Sequence, residues 1–358
     1  MTTIRLLADD LTGALDAMAE FAAIAAGPLH AYWHNGIPDI LPSNAALDTG
    51  TREASLDQAR GRIAALAPML AAGEIAFKKV DSLMRGHTLA ELQAVTGFDR
   101  CVFAPAFPAQ GRITRNNTQH AWVDGVWSPV GPDLVQTLGA THGAPGVALA
   151  PGITVFDAES DAELDGIVAG VRDQRVLWCG TAGLAGALAR SLSGTDATCS
   201  PILPSPMLGL FGSDQPATFA QLRACMQHWL HLPEAAAHDL AQRLANGLAL
   251  VSVDLPQGLS RDEAASRIGY TLHRIAVDLP RPGTLLVAGG ETLRGLCLAL
   301  GATSLELQGR ILPGLPRAIL RGGPWDGVTI VSKSGAFGPP SLLRDLLARN
   351  GFFPERTT

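Results

Sequence analysis

The chain has 358 residues, of which 47% are hydrophobic and 17% charged, with a formal net charge of -6. That length accommodates two ordinary domains, each with its own core, and the composition excludes a disordered polar chain. The negative balance excludes the basic footprint of a nucleic-acid binder, so no nucleic-acid partner is expected, and an anionic ligand must be held by individual Arg, Lys and backbone N–H groups.

Five cysteines (Cys101, Cys179, Cys199, Cys225 and Cys297) are odd in number and widely spaced. They read as buried thiols in a reducing compartment and not as bridges or zinc ligands. No apolar run is long enough to span a bilayer, and MTTIRLLADD lacks the regions of a signal peptide. The expectations are a cytoplasmic protein and no membrane partner. An assembly of identical copies is compatible with the sequence.

In chain order, Ile4, Leu6, Leu7 and Ala8 predict a buried strand. Leu15, Met18, Ala22 and Ala25 predict a helix that Gly27-Pro28 ends. LHAYWH and NAALDTG read as strands, residues 53–70 as a helix, IAFKKVDS as a strand, and a further helix starts near Thr88. CVFAPAF is a strand, and AWVDGVWSPV a hairpin turning at Asp124-Gly125. VALA and TVFDA are short strands, residues 161–171 a helix, RVLWCG a strand and residues 182–192 a helix. Pro, Ser, Thr and Gly then crowd residues 193–206. The predicted domains are 1–194 and 207–358, joined by a linker at 195–206. The second half reads as strand MLGLFGS, helix 217–230, strand GLALVSV, helix 261–277, strand TLLVAGG and helix 292–300. Strands SLELQG, AILRGG and VTIVSKSG and a helix over 341–350 complete it. Alternation of this kind predicts two α/β domains with mainly parallel sheets.

Ligands bind at the carboxyl ends of such sheets, so polar residues there are the candidates. Asp9 and Asp10 close the first strand, followed by Thr12 and Gly13. One aspartate caps the helix in the ordinary reading, and if Asp10 is a catalytic base, Asp9 is the candidate for that cap. Phosphatases of the haloacid dehalogenase type place two aspartates one residue apart, and the adjacency of Asp9 and Asp10 excludes that chemistry. KKVDSLMRGH delivers Lys78, Lys79, Asp81 and Ser82, with Arg85 beside a glycine. An arginine fork suits a carboxylate or phosphate, and a surface Arg85–Asp pair is the plainer alternative. Arg112 follows the Pro- and Gly-rich APAFPAQG. In the second half, LLVAGGET and IVSKSGAFG end strands in glycine turns that expose backbone N–H groups, and LFGSD adds Ser213. Neither turn has Walker spacing. An Asp- and Arg-lined site in one domain and a phosphate cradle in the other suit phosphoryl transfer to a small acid in the cleft between them.

ADDLTGALD, LDTGTR, KKVDSLMRG, APAFPAQGR, GTAGLAGALA, GSDQPATFAQ, GGET, PGLP and SKSGAFG occur in this order along nearly the whole chain. The series resembles the four-carbon acid sugar kinases, which phosphorylate D-threonate, D-erythronate or 3-oxo-tetronates with ATP. The resemblance implies an acid-sugar-binding domain, an ATP-binding domain, and Mg²⁺ bridging the phosphates; it names no metal ligands. By position Asp9, Asp10, Thr12, Lys79, Asp81, Ser82, Arg85 and Arg112 line the sugar site. Arg85, helped by Arg112 or Lys79, fixes the substrate carboxylate, and Asp10 is the catalytic base, with Asp9 and Asp81 as rivals. Ser213, Gly289, Gly290, Glu291, Thr292, Lys333, Ser334 and Gly335 hold the nucleotide. Leu83, Met84, Gln215 and Glu291 depart from the family pattern, as does ITRNNTQH after Gly111-Arg112. Two alternatives stay open: a non-catalytic binder of sugar acid or nucleotide, and a kinase of another short hydroxy acid.

Overall fold

The computed structural model describes residues 2–144, 146–171, 174–212, 215–232, 237–253, 259 and 261–354. The chain divides into two compact units, Met1–Ala197 and Thr198–Thr358.

The first unit contains β1 (Ile4–Ala8), α1 (Leu11–Ala19), β2 (Leu29–Trp33), β3 (Ala45–Asp48), α2 (Leu56–Leu66), β4 (Ile75–Lys79), α3 (Thr88–Ala94), β5 (Arg100–Ala104), β6 (Arg112–Arg115), β7 (Thr118–Val123), β8 (Val126–Pro129), α4 (Leu134–Leu138), β9 (Thr141–His142), β10 (Gly152–Val155), α5 (Asp161–Val171), β11 (Leu177–Gly180) and α6 (Ala182–Ser193). Its parallel strands run in the order β2-β3-β1-β4-β11-β5-β10-β9, while β6, β7 and β8 form a separate antiparallel sheet. β1, β3 and β4 are buried almost throughout, as strands covered on both faces are, so their apolar residues show no in–out alternation. Leu7, Leu47, Phe103, Val155 and Cys179 share one core. The chain lays β3 on one side of β1 and β4 on the other, so the strand order reverses beside β1.

The second unit contains β12 (Met207–Phe211), α7 (Pro216–Arg223), β13 (Trp229–Leu232), α8 (Ala237–Ala245), β14 (Leu248–Val253), α9 (Arg261–Asp278), β15 (Thr284–Ala288), α10 (Gly290–Ala299), β16 (Ser304–Leu312), β17 (Leu315–Arg321), β18 (Thr329–Lys333) and α11 (Leu342–Ala348). Its order is β13-β14-β12-β15-β18-β17-β16, parallel as far as β18 and antiparallel beyond it. The order reverses at β12, which lies between β14 and β15. Leu250, Leu286, Val331, Leu343 and Leu347 form its core.

The mainly parallel α/β architecture is as the alternation predicts, with several local differences. Pro68 interrupts the helix expected over residues 53–70, and a 3₁₀ segment, Ala67–Ala72, follows α2. VALA forms no strand; the short edge strand is β9, paired with β10. The helix expected over 217–230 ends at Arg223, and Trp229–Leu232 instead pairs with β14 as β13. β6, α4, β13 and α8 are additional elements. The hairpin does turn at Asp124 and Gly125, both at positive φ (50° and 85°), as a two-residue turn requires. Residues 198–206 are tied to the second unit by Cys199 N–H to Arg310 O (2.9 Å) and Leu203 N–H to Asn350 Oδ1 (2.8 Å). Among the described residues no helix is long and apolar enough to cross a membrane. All five cysteines are free thiols.

A buried ion pair fastens α3 to β4: Lys78 Nζ lies 2.7 Å from Glu91 Oε2, and neither side chain meets solvent. Burial pulls the Lys78 ammonium down, and Glu91 beside it more than compensates, so its pKa is raised. Removing one partner leaves an uncompensated buried charge. Glu91→Leu is expected to cost about 3–5 kcal/mol in urea denaturation, and Lys78→Met with Glu91→Leu to recover most of that loss. A double variant no more stable than Glu91→Leu would show that packing, and not charge, makes the contact.

Candidate active site

Around β1 the sheet brings three carboxylates to one place. Asp9 and Asp10 follow β1, and Asp81 follows β4. Three such groups cannot gather unpaired in a buried crevice. Arg52, from the loop after β3, supplies the opposite charge. Its Nε and Nη2 donate to the two oxygens of Asp9 (2.8 and 3.0 Å) and its Nη1 to Asp10 Oδ2 (2.5 Å). Nη2 also lies 3.4 Å from Asp81 Oδ1.

The loop that carries Arg52 is bonded along its length. Thr49 donates from N–H and Oγ1 to Ala8 O (2.8 and 2.9 Å), and Asp48 Oδ1 accepts from Gly50 N–H (2.8 Å). The N–H groups of Thr51 and Arg52 donate to Asp9 O (3.1 and 3.3 Å). Arg62 of α2 holds the carbonyls of Thr49 and Gly50.

Asp10, not Asp9, caps α1, which corrects the sequence expectation. Its extended backbone (φ -143°) aims Oδ1 at Gly13 N–H (2.8 Å), while Oδ2 accepts from Thr12 Oγ1 (2.8 Å). Asp9 is buried and turned into the Arg52 fork, where it cannot reach the helix. The Thr-Gly pair also has a physical reason. A Cβ at Gly13 would lie 2.6 Å from Asp10 Oδ1 and 3.0 Å from Lys79 Nζ. Only glycine lets the cap and the lysine meet there.

Asp81 is saturated by its own turn. Its Oδ2 accepts from Leu83 N–H (3.1 Å), Arg85 N–H (3.1 Å) and Arg85 Nε (2.9 Å), and its Oδ1 from Arg85 Nη2 (2.7 Å). Ser82 stands in that turn, and its carbonyl accepts from Gln119 Nε2 of β7 (3.0 Å). Met84 adopts φ 57°, a left-handed conformation held by the bonds on either side. One edge of the Arg85 fork is thus filled by Asp81, while 47% of its side chain remains exposed. Lys79 is buried and donates to Val80 O (2.8 Å). Arg112 Nη1 donates to the carbonyls of Gln110 and Gly111 (both 2.9 Å), and its Nε is buried without a hydrogen-bond partner among the described residues.

The electrostatics follow from these contacts. Burial pushes the Asp9 carboxyl up, but the charge and hydrogen bonds of Arg52, with Lys79 and Lys78, more than offset it and leave it below the usual range. Burial likewise raises Asp81, and the Arg85 hydrogen bond with the Arg52, Arg85 and Lys79 charges takes it well below. Burial lowers Arg112, and the Arg85 charge lowers it further against the pull of Asp81. Among the described residues, no group of three His, Cys, Asp or Glu side chains could hold a metal ion.

The second unit gathers its candidates the same way, around β12 and β15. Ser213 lies outside the described residues. Gly289, at φ 97°, starts α10 without a side-chain cap, and its N–H donates to Lys333 O (3.0 Å). Gly290 opens the helix, and Thr292 is buried in the first turn. A Cβ at Gly212 would lie 2.7 Å from Thr292 Oγ1, so these two strand ends adjoin. Glu291 is exposed and paired with Arg294 one turn on. Lys333, Ser334 and Gly335 leave β18, and the Lys333 ammonium turns inward onto backbone carbonyls.

Sequence reasoning missed Arg52, although LDTGTR stood at a strand end beside β1. It also missed Gln119, whose fully buried amide ties Ser82 and Pro105 carbonyls to β7.

Residues 4–131 match the family model of a sugar-binding N-terminal domain and residues 245–343 that of a nucleotide-binding C-terminal domain. Fold and site therefore define a two-part sugar- and nucleotide-binding protein. A D-threonate kinase of Bordetella bronchiseptica is 28% identical, over 95% of this chain and 95% of its own. A D-erythronate kinase of Heliobacterium modesticaldum is 25% identical over 94% of both chains. A 3-oxo-tetronate kinase of Methylobacterium radiotolerans is 30% identical over 59% of this chain and 58% of its own. The chain belongs to the four-carbon acid sugar kinase family. Solved structures from Salmonella typhimurium LT2 (TM-score 0.72, 21% identity, 95% and 98% coverage) and Haemophilus influenzae (0.68, 20%, 96% and 99%) share the fold.

Because the folded state lowers the Asp9 and Asp81 pKa values, their contribution to stability is present above the ordinary carboxyl pKa of about 3.9 and is lost as pH falls through the lowered values. Arg52→Met takes away the charge and hydrogen bonds that offset burial at Asp9, leaving only Lys79 and Lys78 against it, so the Asp9 pKa rises. The expected deficit in denaturant unfolding is about 3–5 kcal/mol at pH 7, narrowing toward pH 4 as the orphaned carboxylates take up protons. A deficit that does not depend on pH would mean that Arg52 acts through packing.

Proposed function

We propose that this protein is an ATP-dependent kinase that phosphorylates a hydroxyl, the terminal one, of a four-carbon acid sugar of the threonate, erythronate or 3-oxo-tetronate class. The observation that carries this reading is the difference among the three carboxylates. A carboxylate offers about four lone-pair sites. Asp81 has all of its sites engaged, and Asp9 is buried in the Arg52 fork. Asp10 keeps one open position on Oδ1 and some exposure, 17% of its side chain. Asp10 is therefore the residue that receives the attacking hydroxyl, orients it and takes its proton. Thr12, Gly13 and Arg52 fix the carboxylate for that purpose.

Arg85 and Arg112 stand close enough for the charge of one to disfavour that of the other. A substrate carboxylate relieves that repulsion. Arg85 meets it with the fork edge that Asp81 leaves open, and Lys79 adds charge from the floor. The same reading assigns the sugar to residues 1–194 and the nucleotide to 207–358, with 195–206 between them.

ATP supplies the phosphoryl group, and its Mg²⁺ neutralises charge on the phosphates. The residues fit such a ligand: α10 starts at Gly290 without a side-chain cap, so its first turn offers N–H groups, and glycine at 212 lets the end of β12 approach Thr292 closely. Ser334 and Gly335 belong to the same cradle, and Glu291 lies on its rim; Ser213, outside the described residues, is assigned to it by the sequence resemblance alone. Mg²⁺ arrives with the nucleotide. The cytoplasm, where ATP is available and thiols stay reduced, is the compartment that this activity calls for.

A coupled ADP-release screen over three- to six-carbon sugar acids is expected to show turnover with a four-carbon acid, and no turnover with any would overturn the reading. Asp10→Asn keeps the cap, since asparagine caps as well as aspartate, and removes the base. It is expected to lower kcat about 10²–10⁴-fold at unchanged thermal stability. Asp10→Ala adds a stability loss of about 0.5–2 kcal/mol. Full turnover in Asp10→Asn would move the base elsewhere.

A further inference from the structure

After β18 the chain turns through residues 334–339, and the donor that each carbonyl meets shows which way it points. Lys333 Nζ donates to the carbonyls of Ser334 (3.1 Å), Gly335 (3.3 Å) and Phe337 (3.1 Å) and to Thr218 Oγ1 (3.1 Å). Thr218 Oγ1, on α7, donates to Gly335 O (2.7 Å). Gln221, one turn further along α7, directs Nε2 at the carbonyls of Phe337 (3.0 Å), Gly338 (3.1 Å) and Pro339 (3.1 Å). Both α7 side chains are buried.

A trans peptide points its carbonyl and the next N–H in opposite directions. With the carbonyls of Ser334, Gly335 and Phe337 drawn inward, the amides of Gly335, Ala336 and Gly338 face away from the ammonium. Several amides turned to one side of a strand-end turn make an anion-binding nest. Left to itself, a glycine-rich turn has many other conformations and no reason to keep this one.

Two further features fit a role beyond packing. Gln221 Oε1 is buried without a partner among the described residues, a cost that an apolar side chain of the same shape would avoid. Gly338 sits at φ 92°, where a Cβ would lie 2.4 Å from Leu342 Cδ2 and 3.1 Å from Gln221 Nε2, so the turn closes tightly on the strap.

We infer that Thr218, Gln221 and Lys333 are positioning residues that hold the 334–339 turn with its carbonyls inward, so that its amides receive the phosphates of the nucleotide. Neither Thr218 nor Gln221 touches the nucleotide in this arrangement, and Lys333 acts through the turn. The inference rests on the nucleotide reading of the second unit.

The test uses the full chain, with Mg·ADP binding measured by calorimetry alongside KM for ATP, KM for the acid sugar, kcat and the melting temperature. Gln221→Leu and Thr218→Val are expected to weaken ADP binding and raise KM for ATP by about tenfold, while KM for the acid sugar and kcat at saturating ATP stay within about twofold. If Gln221→Leu does not fold, Thr218→Val, nearly the same shape, carries the test. Folded variants with wild-type ADP binding overturn the inference. So does a loss confined to Lys333→Met, which would make Lys333 a direct phosphate contact. A wild-type protein that binds ADP but phosphorylates no sugar acid overturns the proposed activity and leaves this inference standing. One that binds no nucleotide overturns both.

Discussion

One guanidinium sets the terms for the first unit. Arg52 joins two carboxylates from the end of β1 to one from the end of β4, and each would repel the others without it. The strand order makes the meeting unavoidable, since β3 and β4 flank β1. Because Arg52 must hold its fork against Asp9, its loop is bonded to Ala8 and Asp9 and cannot drift. Asp9, Asp81 and Lys79 are all consumed in building this floor. What remains open among the described residues is one position on Asp10 Oδ1 and the exposed side of Arg85. A small hydroxy acid has those two features, a hydroxyl and a carboxylate.

Among the described residues, the second unit buries no carboxylate. Its donors are backbone amides at the ends of β15 and β18, and their direction depends on where the neighbouring carbonyls go. Lys333 is the inward charge that draws those carbonyls. No carboxylate accompanies it among the described residues, and burial takes its pKa down to about 8. An ammonium placed there is held by carbonyl dipoles and the Thr218 hydroxyl. The two units thus treat charge in opposite ways, one by balancing side chains and the other by orienting the backbone.

Much of the fold was legible from local pattern. Buried parallel strands read as apolar runs because both faces are covered, and Asp124-Gly125 announced its hairpin because few residues accept positive φ twice in succession. The misreadings share a cause. Trp229–Leu232 is a strand because β14 offers it an edge, and VALA pairs with no strand among the described residues. The two adjacent aspartates were legible as a pair and not as individuals. Which one capped the helix depended on Arg52, 42 residues away from Asp10 in sequence.

The sequence by itself determined where strands end, which polar residues stand at those ends, and that glycines follow them. These properties reside in a few consecutive residues, through side-chain period and allowed backbone angles. Only the tertiary structure decided which of those residues are used up and which stay free. Asp9, Asp10 and Asp81 are chemically the same group. Strand order placed one inside a fork, filled a second from its own turn and left the third open, and a carboxylate takes its chemistry from the donors already bound to it.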